Sequence, residues 1–329
     1  MVRHFNAGGL IAISRIAALL CTALAVPTAF AQSYPVKPVR LISGSGAAVE
    51  GLIRQVTQEM YAGFGQPIVI ENRPGGAGIV GGDACAKSAP DGYTLCMVDR
   101  TFMVLPLLTS KLPFDVAKDF EPVTNVVYAV LALVVNPSLK VNNLNELIAF
   151  TRAKPDAVNF ASLGPATMAN MLMEWLKKQN GVNMTHVPYK NPGALMTAML
   201  GGETQLTYFA LGNFPQHHQA GKLKVIAISG SSRSPLLPEV HTLREQGLTS
   251  IDARVWFGWL APAKTPKEIR ERIYREVNRV TSNTAFREKY FSAQGMEPIG
   301  NSPDEFAQFI KADTAASAEL IRVSGARFE

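Results

Sequence analysis

The sequence predicts an α/β protein with parallel-rich sheets flanked by helices, and three observations carry that prediction. Short β-branched apolar runs alternate with helical stretches along the chain. The stretch Ile68–Cys96 contains a complete strand–loop–helix–strand unit, which makes a right-handed parallel crossover. The chain has 329 residues, 47% of them hydrophobic, with no low-complexity tract or internal repeat, which suffices for two domains with their own cores.

In the central unit, Ile68, Val69 and Ile70 begin a buried strand. Asn72-Arg73-Pro74-Gly75-Gly76 ends it, because proline has no N–H and glycine accepts positive φ. A short helix follows over about Ile79–Lys87, Pro90-Asp91-Gly92 turns the chain, and Tyr93–Val98 is the next strand. Gly76-Ala77-Gly78-Ile79-Val80-Gly81 satisfies the dinucleotide-binding pattern G-x-G-x-x-G. Four residues, Asn72–Gly75, separate the strand from the first motif glycine, where a dinucleotide site turns tightly. The glycines therefore read as a tight strand-to-helix connection.

The remaining elements follow in order. Residues 1–31 read as a signal peptide: Arg3 and Arg15, an apolar run Ile16–Phe30 too short to span a bilayer, and Ala29-Phe30-Ala31 before a mature start at Gln32. Pro38–Ile42 is a strand, and Val49–Phe64 an amphipathic helix ending near Gly63 or Gly65. Ala129–Val135 is a strand, Asn143–Ala153 a helix stopped before Pro155, and Asn159–Ser162 a strand. A loop leads to the helix Met168–Gln179, with Thr167 placed to cap it and Gly181 to close it. Met184–Pro188, Gln205–Phe209 and Lys224–Ile228 are strands, and Ala194–Gly201 and Thr242–Gly247 helices. Val255–Leu260 is the returning strand. Thr265-Pro266-Lys267-Glu268 and Ser302-Pro303-Asp304-Glu305 both read as capping boxes opening helices.

Several function classes lose support at this level. Formal charge is +6, falling to +4 without the signal segment, and no basic run interleaves with aromatics, which argues against nucleic acid. His217 and His218 point in different directions on a helix and have no partner at ligand spacing, so no metal is expected. His186 reads as structural. No G-x-S-x-G elbow occurs, and no enzyme activity or cofactor is expected. Cys85 and Cys96 fall on the helix and strand of the central unit, where a disulfide or two buried thiols would each fit.

The motifs Glu71-Asn72-Arg73-Pro74-Gly75-Gly76-Ala77-Gly78, Pro90-Asp91-Gly92-Tyr93-Thr94-Leu95, Lys111-Leu112-Pro113-Phe114-Asp115 and His186-Val187-Pro188-Tyr189-Lys190 recur in a shared order. With Arg233-Ser234-Pro235 and Trp256-Phe257-Gly258 further on, they cover nearly all of the mature chain. The whole resembles the substrate-binding proteins of tripartite tricarboxylate transporters, the Bug family. The resemblance implies a two-lobed type II periplasmic binding fold, with residues 33–128 plus 256–329 in one lobe and 129–255 in the other. It implies a monomeric periplasmic protein that captures a small organic carboxylate between its lobes and delivers it to membrane permease subunits. A periplasmic ligand sensor is the alternative, and an enzyme a remoter one.

The resemblance also places the ligand-binding residues. The first carboxylate loop maps to Ser45, Gly46 and Ala47, and appears as a shortened form in this chain. The second maps to Ser162, Gly164 and Thr167. Arg100 stands at the expected cleft mouth, where its guanidinium would suit a carboxylate. Phe209, where a polar pair is usual, and Trp256, at the returning strand, would make an apolar wall. Such a wall with Arg100 opposite suits an aromatic or otherwise apolar acid better than an amino acid, whose ammonium would lack an acidic partner.

Overall fold

Alternating apolar runs pair into two sheets, one per lobe, in the computed structural model, which describes Met1, residues 34–44 and residues 49–326. The rest of the expected signal segment, and Ser45, Gly46 and Ala47 of the first loop, lie outside the described residues.

The first lobe begins with two consecutive strand–helix–strand units. Strand β1 (Val39–Ser43) leads through α1 (Glu50–Phe64) to β2 (Ile68–Asn72), and β2 through α2 (Ile79–Ala86) to β3 (Thr94–Asp99). Both crossovers return parallel, so β1 pairs with β2 on one side and β3 on the other. Helix α1 buries Leu52, Ile53, Val56, Met60 and Phe64 on one stripe and ends at Gly65, whose φ of 64° closes the helix on the Tyr61 carbonyl. Cys85 on α2 and Cys96 on β3 are joined by a disulfide, with Cα atoms 6.0 Å apart, which resolves the two readings of these cysteines. Next come the short helices α3 (Arg100–Met103) and α4 (Leu105–Leu108) and the strand β4 (Phe120–Ala129).

Val130 alone separates β4 from β5 (Leu131–Val135), which belongs to the second sheet. That lobe continues with α5 (Leu144–Ala153), β6 (Asn159–Ser162), α6 (Met168–Asn180), β7 (Thr185–Pro188), α7 (Pro192–Gly201), β8 (Leu206–Ala210), α8 (Pro215–Gln219) and β9 (Lys224–Ile228). Its strand order is β7-β6-β8-β5-β9. Strand β6 is parallel to β7 and β8, whereas β5 is antiparallel to β8 and β9. The segment Thr242–Gly247, expected as a helix, is a hydrogen-bonded turn in which Thr242 and Glu245 each accept the other's backbone N–H.

The chain returns along β10 (Val255–Pro262), then α9 (Lys267–Thr281), α10 (Thr284–Phe286), β11 (Met296–Pro298) and α11 (Pro303–Ser324). The first sheet has the order β11-β4-β10-β3-β1-β2, with β10 antiparallel to both β3 and β4. Both sheets are thus mixed. The parallel pairs lie within the strand–helix–strand runs β1 to β3 and β6 to β8, and every antiparallel pair involves β4, β5 or β10, the strands by which the chain leaves or re-enters a lobe. The two capping boxes fare differently. Ser302 and Glu305 form theirs at α11. Thr265 instead donates its hydroxyl to the Pro262 carbonyl at 2.7 Å, which leaves Pro266 at the start of α9 without a side-chain cap.

Helix α11 packs against both β4 and α6, so it touches both lobes. A small cluster of Val104, Leu108, Ala166, Met171, Ile321 and Ala326 joins α4, the loop before α6 and the end of α11. Among the described residues, no helix is long and apolar enough to cross a membrane.

Candidate functional site

The C-terminal ends of the parallel strands β1, β3 and β6 converge on a cavity of about 350 Å³ between the lobes. Open α/β sheets place ligand crevices at this end of their strands, where helix N-termini also point. From the first lobe the wall is built by Gly44 after β1, by Ala77 and Gly78 before α2, and by Met97, Val98 and Asp99 at the end of β3. Thr101 and Phe102 of α3 complete that side. The second lobe contributes the whole β6–α6 loop, Leu163–Thr167.

The glycines flagged by the G-x-G-x-x-G pattern earn their place here by sterics. A Cβ on Gly44 would stand 2.8 Å from the Cα of Gly78, so the first loop and the α2 turn touch backbone to backbone. Ala77, at φ 53°, is held in the left-handed region between Gly76 and Gly78.

On the opposite side, Thr167 caps α6: its hydroxyl oxygen accepts from the Asn170 N–H at 3.5 Å and donates to the Gly164 carbonyl at 2.8 Å. The first-turn N–H groups of a 13-residue helix, without intrahelical acceptors, therefore start at the cavity wall and carry the positive end of its dipole. Ser162 is 1% exposed and does not line the cavity. Its oxygen accepts from Gly164 N–H at 3.0 Å and lies 2.7 Å from His186 Nε2, so Ser162 shapes the loop. His186 stacks on Phe160 with ring centroids 4.8 Å apart, and burial pushes its imidazole pKa below the ordinary value, consistent with the structural role expected for it.

Besides Ser162, three expected site residues lie off the cavity wall. Arg100 is 3% exposed and points away from the cavity, donating through Nε and Nη2 to the Asp313 carboxylate at 3.1 and 2.5 Å and through Nη1 to the Asp252 carbonyl at 2.9 Å. Trp256 is fully buried, with Nε1 donating to the same carboxylate at 2.9 Å and its ring edge-on to Phe306 and Phe309. Phe209 is half-buried against the cluster of Val130, Ala132, Ala161 and Leu211, off the cavity wall. The apolar wall expected from Phe209 and Trp256, with Arg100 opposite, is therefore not the wall of this cavity. Phe102, Met97 and Leu163 supply its apolar surface instead.

The resemblance put the stretch Asp99–Phe102 at the cleft mouth, but Arg100 was the residue chosen from it, whereas Asp99, Thr101 and Phe102 line the wall. The available signal was position: they follow an apolar parallel strand at its C-terminal end. No Lys, Arg or His lines the cavity among the described residues; the N-terminus of α6 is the positive end that reaches its wall. No group of three or more His, Cys, Asp or Glu among those residues is placed to hold a metal.

The sequence matches the family described as Tripartite tricarboxylate transporter family receptor over residues 52–326. The chain belongs to this family. BugT of Bordetella pertussis is 33% identical over 304 residues, spanning 91% of this chain and 93% of BugT. A solved structure described as a periplasmic transporter matches with a TM-score of 0.78 at 29% identity, covering 90% of this chain and all of that one. R. palustris Rpa4515 with adipate gives 0.78 at 26% identity, and MatC from Rhodopseudomonas palustris with bound malate gives 0.72 at 26%; they cover 90% and 88% of this receptor chain and all of their own. The fold of this receptor is thus the two-lobed periplasmic binding protein fold, and the family and fold are those of substrate-binding proteins.

Proposed function

We propose that this receptor captures a small organic carboxylate between its lobes in the periplasm and hands it to the permease subunits of a tripartite tricarboxylate transporter. The observation that carries the reading is the start of α6 on the cavity wall, facing the glycine turn of the other lobe, with no Lys, Arg or His among the described wall residues. A carboxylate there is held by backbone N–H groups and the helix dipole. Ser45, Gly46 and Ala47 belong to this site in the proposal, as the continuation of Gly44. The relatives crystallised with adipate and malate support the class of ligand. Domain closure about the two crossovers, at Val130 and just before Val255, is the binding motion. Binding without chemistry is the activity proposed, and no cofactor enters it.

The reading is tested by calorimetry on the mature protein with adipate, malate, citrate, benzoate and acidic amino acids. At least one acid is expected to bind, and Thr167→Ala to weaken it by roughly 10–150-fold, the equivalent of about 1.5–3 kcal/mol for a hydrogen-bonding site on a charged group. Loss of the cap frays the turn that presents the N–H groups. Ser162→Ala acts in the same direction by releasing Gly164. Unchanged affinity in both variants would refute the placement of the site on this loop. Export has its own check: protein recovered from the periplasm is expected to begin at Gln32, and an intact Met1 on a cytoplasmic product would contradict it.

A further inference from the structure

Asp99 is the one formally charged side chain on the cavity wall among the described residues. It ends β3, and its Oδ1 accepts from the Phe102 N–H at 3.0 Å, so the carboxylate caps α3 while facing the cleft. Among the described residues no cation lies within ion-pair distance of it. Its neighbour Arg100, the nearest candidate in sequence, turns the other way to Asp313. Burial raises the Asp99 carboxyl above its ordinary pKa, partly offset by the backbone N–H groups of Phe102 and Thr101 and by the charge of Arg100, which acts on it without a direct ion pair.

A desolvated carboxylate beside an anion-binding helix end creates a specific demand. A ligand that offers only carboxylates meets repulsion from Asp99 when the lobes close. One that also carries a cation neutralises it. We propose that Asp99 is a specificity-determining residue that selects carboxylates bearing an ammonium group, pairing with the ammonium while the N-terminus of α6 holds the carboxylate. This rests on the cleft being the carboxylate site. It reverses the preference expected from Phe209, Trp256 and Arg100, because the acidic partner thought to be missing is present on the other lobe.

The test uses acids paired by carbon skeleton: aspartate, malate and succinate as one set, glutamate and glutarate as another, titrated by calorimetry into the mature protein. The wild type is expected to bind the amino acid at least about tenfold tighter than its unsubstituted partner, and Asp99→Asn, which keeps the cap acceptor for Phe102, to erase that ratio. Asp99→Ser, a second capping side chain, is expected to erase it equally, and a thermal melt on each variant shows whether it folds. Tighter binding of succinate or malate than of aspartate in the wild type overturns the assignment. So does an amino-acid preference that survives in both folded variants. Each of these leaves the carboxylate-receptor reading standing, whereas absence of binding by every acid, including adipate and benzoate, overturns that reading as well.

Discussion

Asp313→Ala lowers the stability of the protein by about 3–5 kcal/mol, the loss expected when one partner of a buried ion pair is removed. The Asp313 carboxylate accepts two hydrogen bonds from Arg100 and one from Trp256 Nε1, and both partners are almost wholly buried. Without it, a guanidinium at 3% exposure keeps only the Asp252 carbonyl, and the indole N–H loses its acceptor. The reciprocal Arg100→Ala is expected to cost a similar amount. Arg100→Met combined with Asp313→Leu removes both charges together and is expected to recover much of the loss, because the penalty lies in the uncompensated charge rather than in the missing attraction. Urea unfolding of the four proteins checks this. Single variants within 1 kcal/mol or so of the wild type would show that water reaches the pair. The site follows from the same geometry: this pair ties α3 to α11 and to the segment before β10, and so holds the chain on which Asp99, Thr101 and Phe102 face the cavity.

Reducing the Cys85–Cys96 bond, or replacing both cysteines with serine, is expected to destabilise the protein by about 2.5–3 kcal/mol, from the loop entropy released when an 11-residue link is opened in the unfolded chain. The double serine variant adds the cost of two hydroxyls at nearly inaccessible positions, so reduction of the wild type is the cleaner measurement. Denaturant midpoints with and without reductant, under conditions where free thiol is confirmed by labelling, decide it. Coincident transitions would mean that the bond constrains nothing the unfolded chain would otherwise explore.

Local chemistry made much of the architecture legible. The apolar run, the proline–glycine break and the turn in residues 68–98 produced a strand, a helix and a strand where the sequence implies them. Thr167 and Gly181 bounded α6 within one residue of expectation, and Ser302 with Glu305 opened α11 as a capping box. These signals act within four residues, so nothing remote has to be known. The β6–α6 loop was found in the same way, through its resemblance and its cap. Antiparallel pairing was not legible, because β10 meets β3 and β4 only after the second lobe has been built between them.

The cavity wall divides along the same line. At the end of β3 two adjacent residues face opposite ways, one toward the cleft and one toward the core, and sequence alone placed the wrong one in the site. Arg100 was chosen for its chemistry; its partner Asp313 is 213 positions away, and only packing of α11 against β4 and α3 makes the guanidinium a buried strut. The same packing buries Trp256 and turns Asp99 outward. By itself the sequence determined the elements, the family resemblance and the β6–α6 loop proposed as a carboxylate site, because those depend on local backbone chemistry. The tertiary structure alone decided which charge faces the cavity, because that depends on what a distant helix places against the turn after the strand.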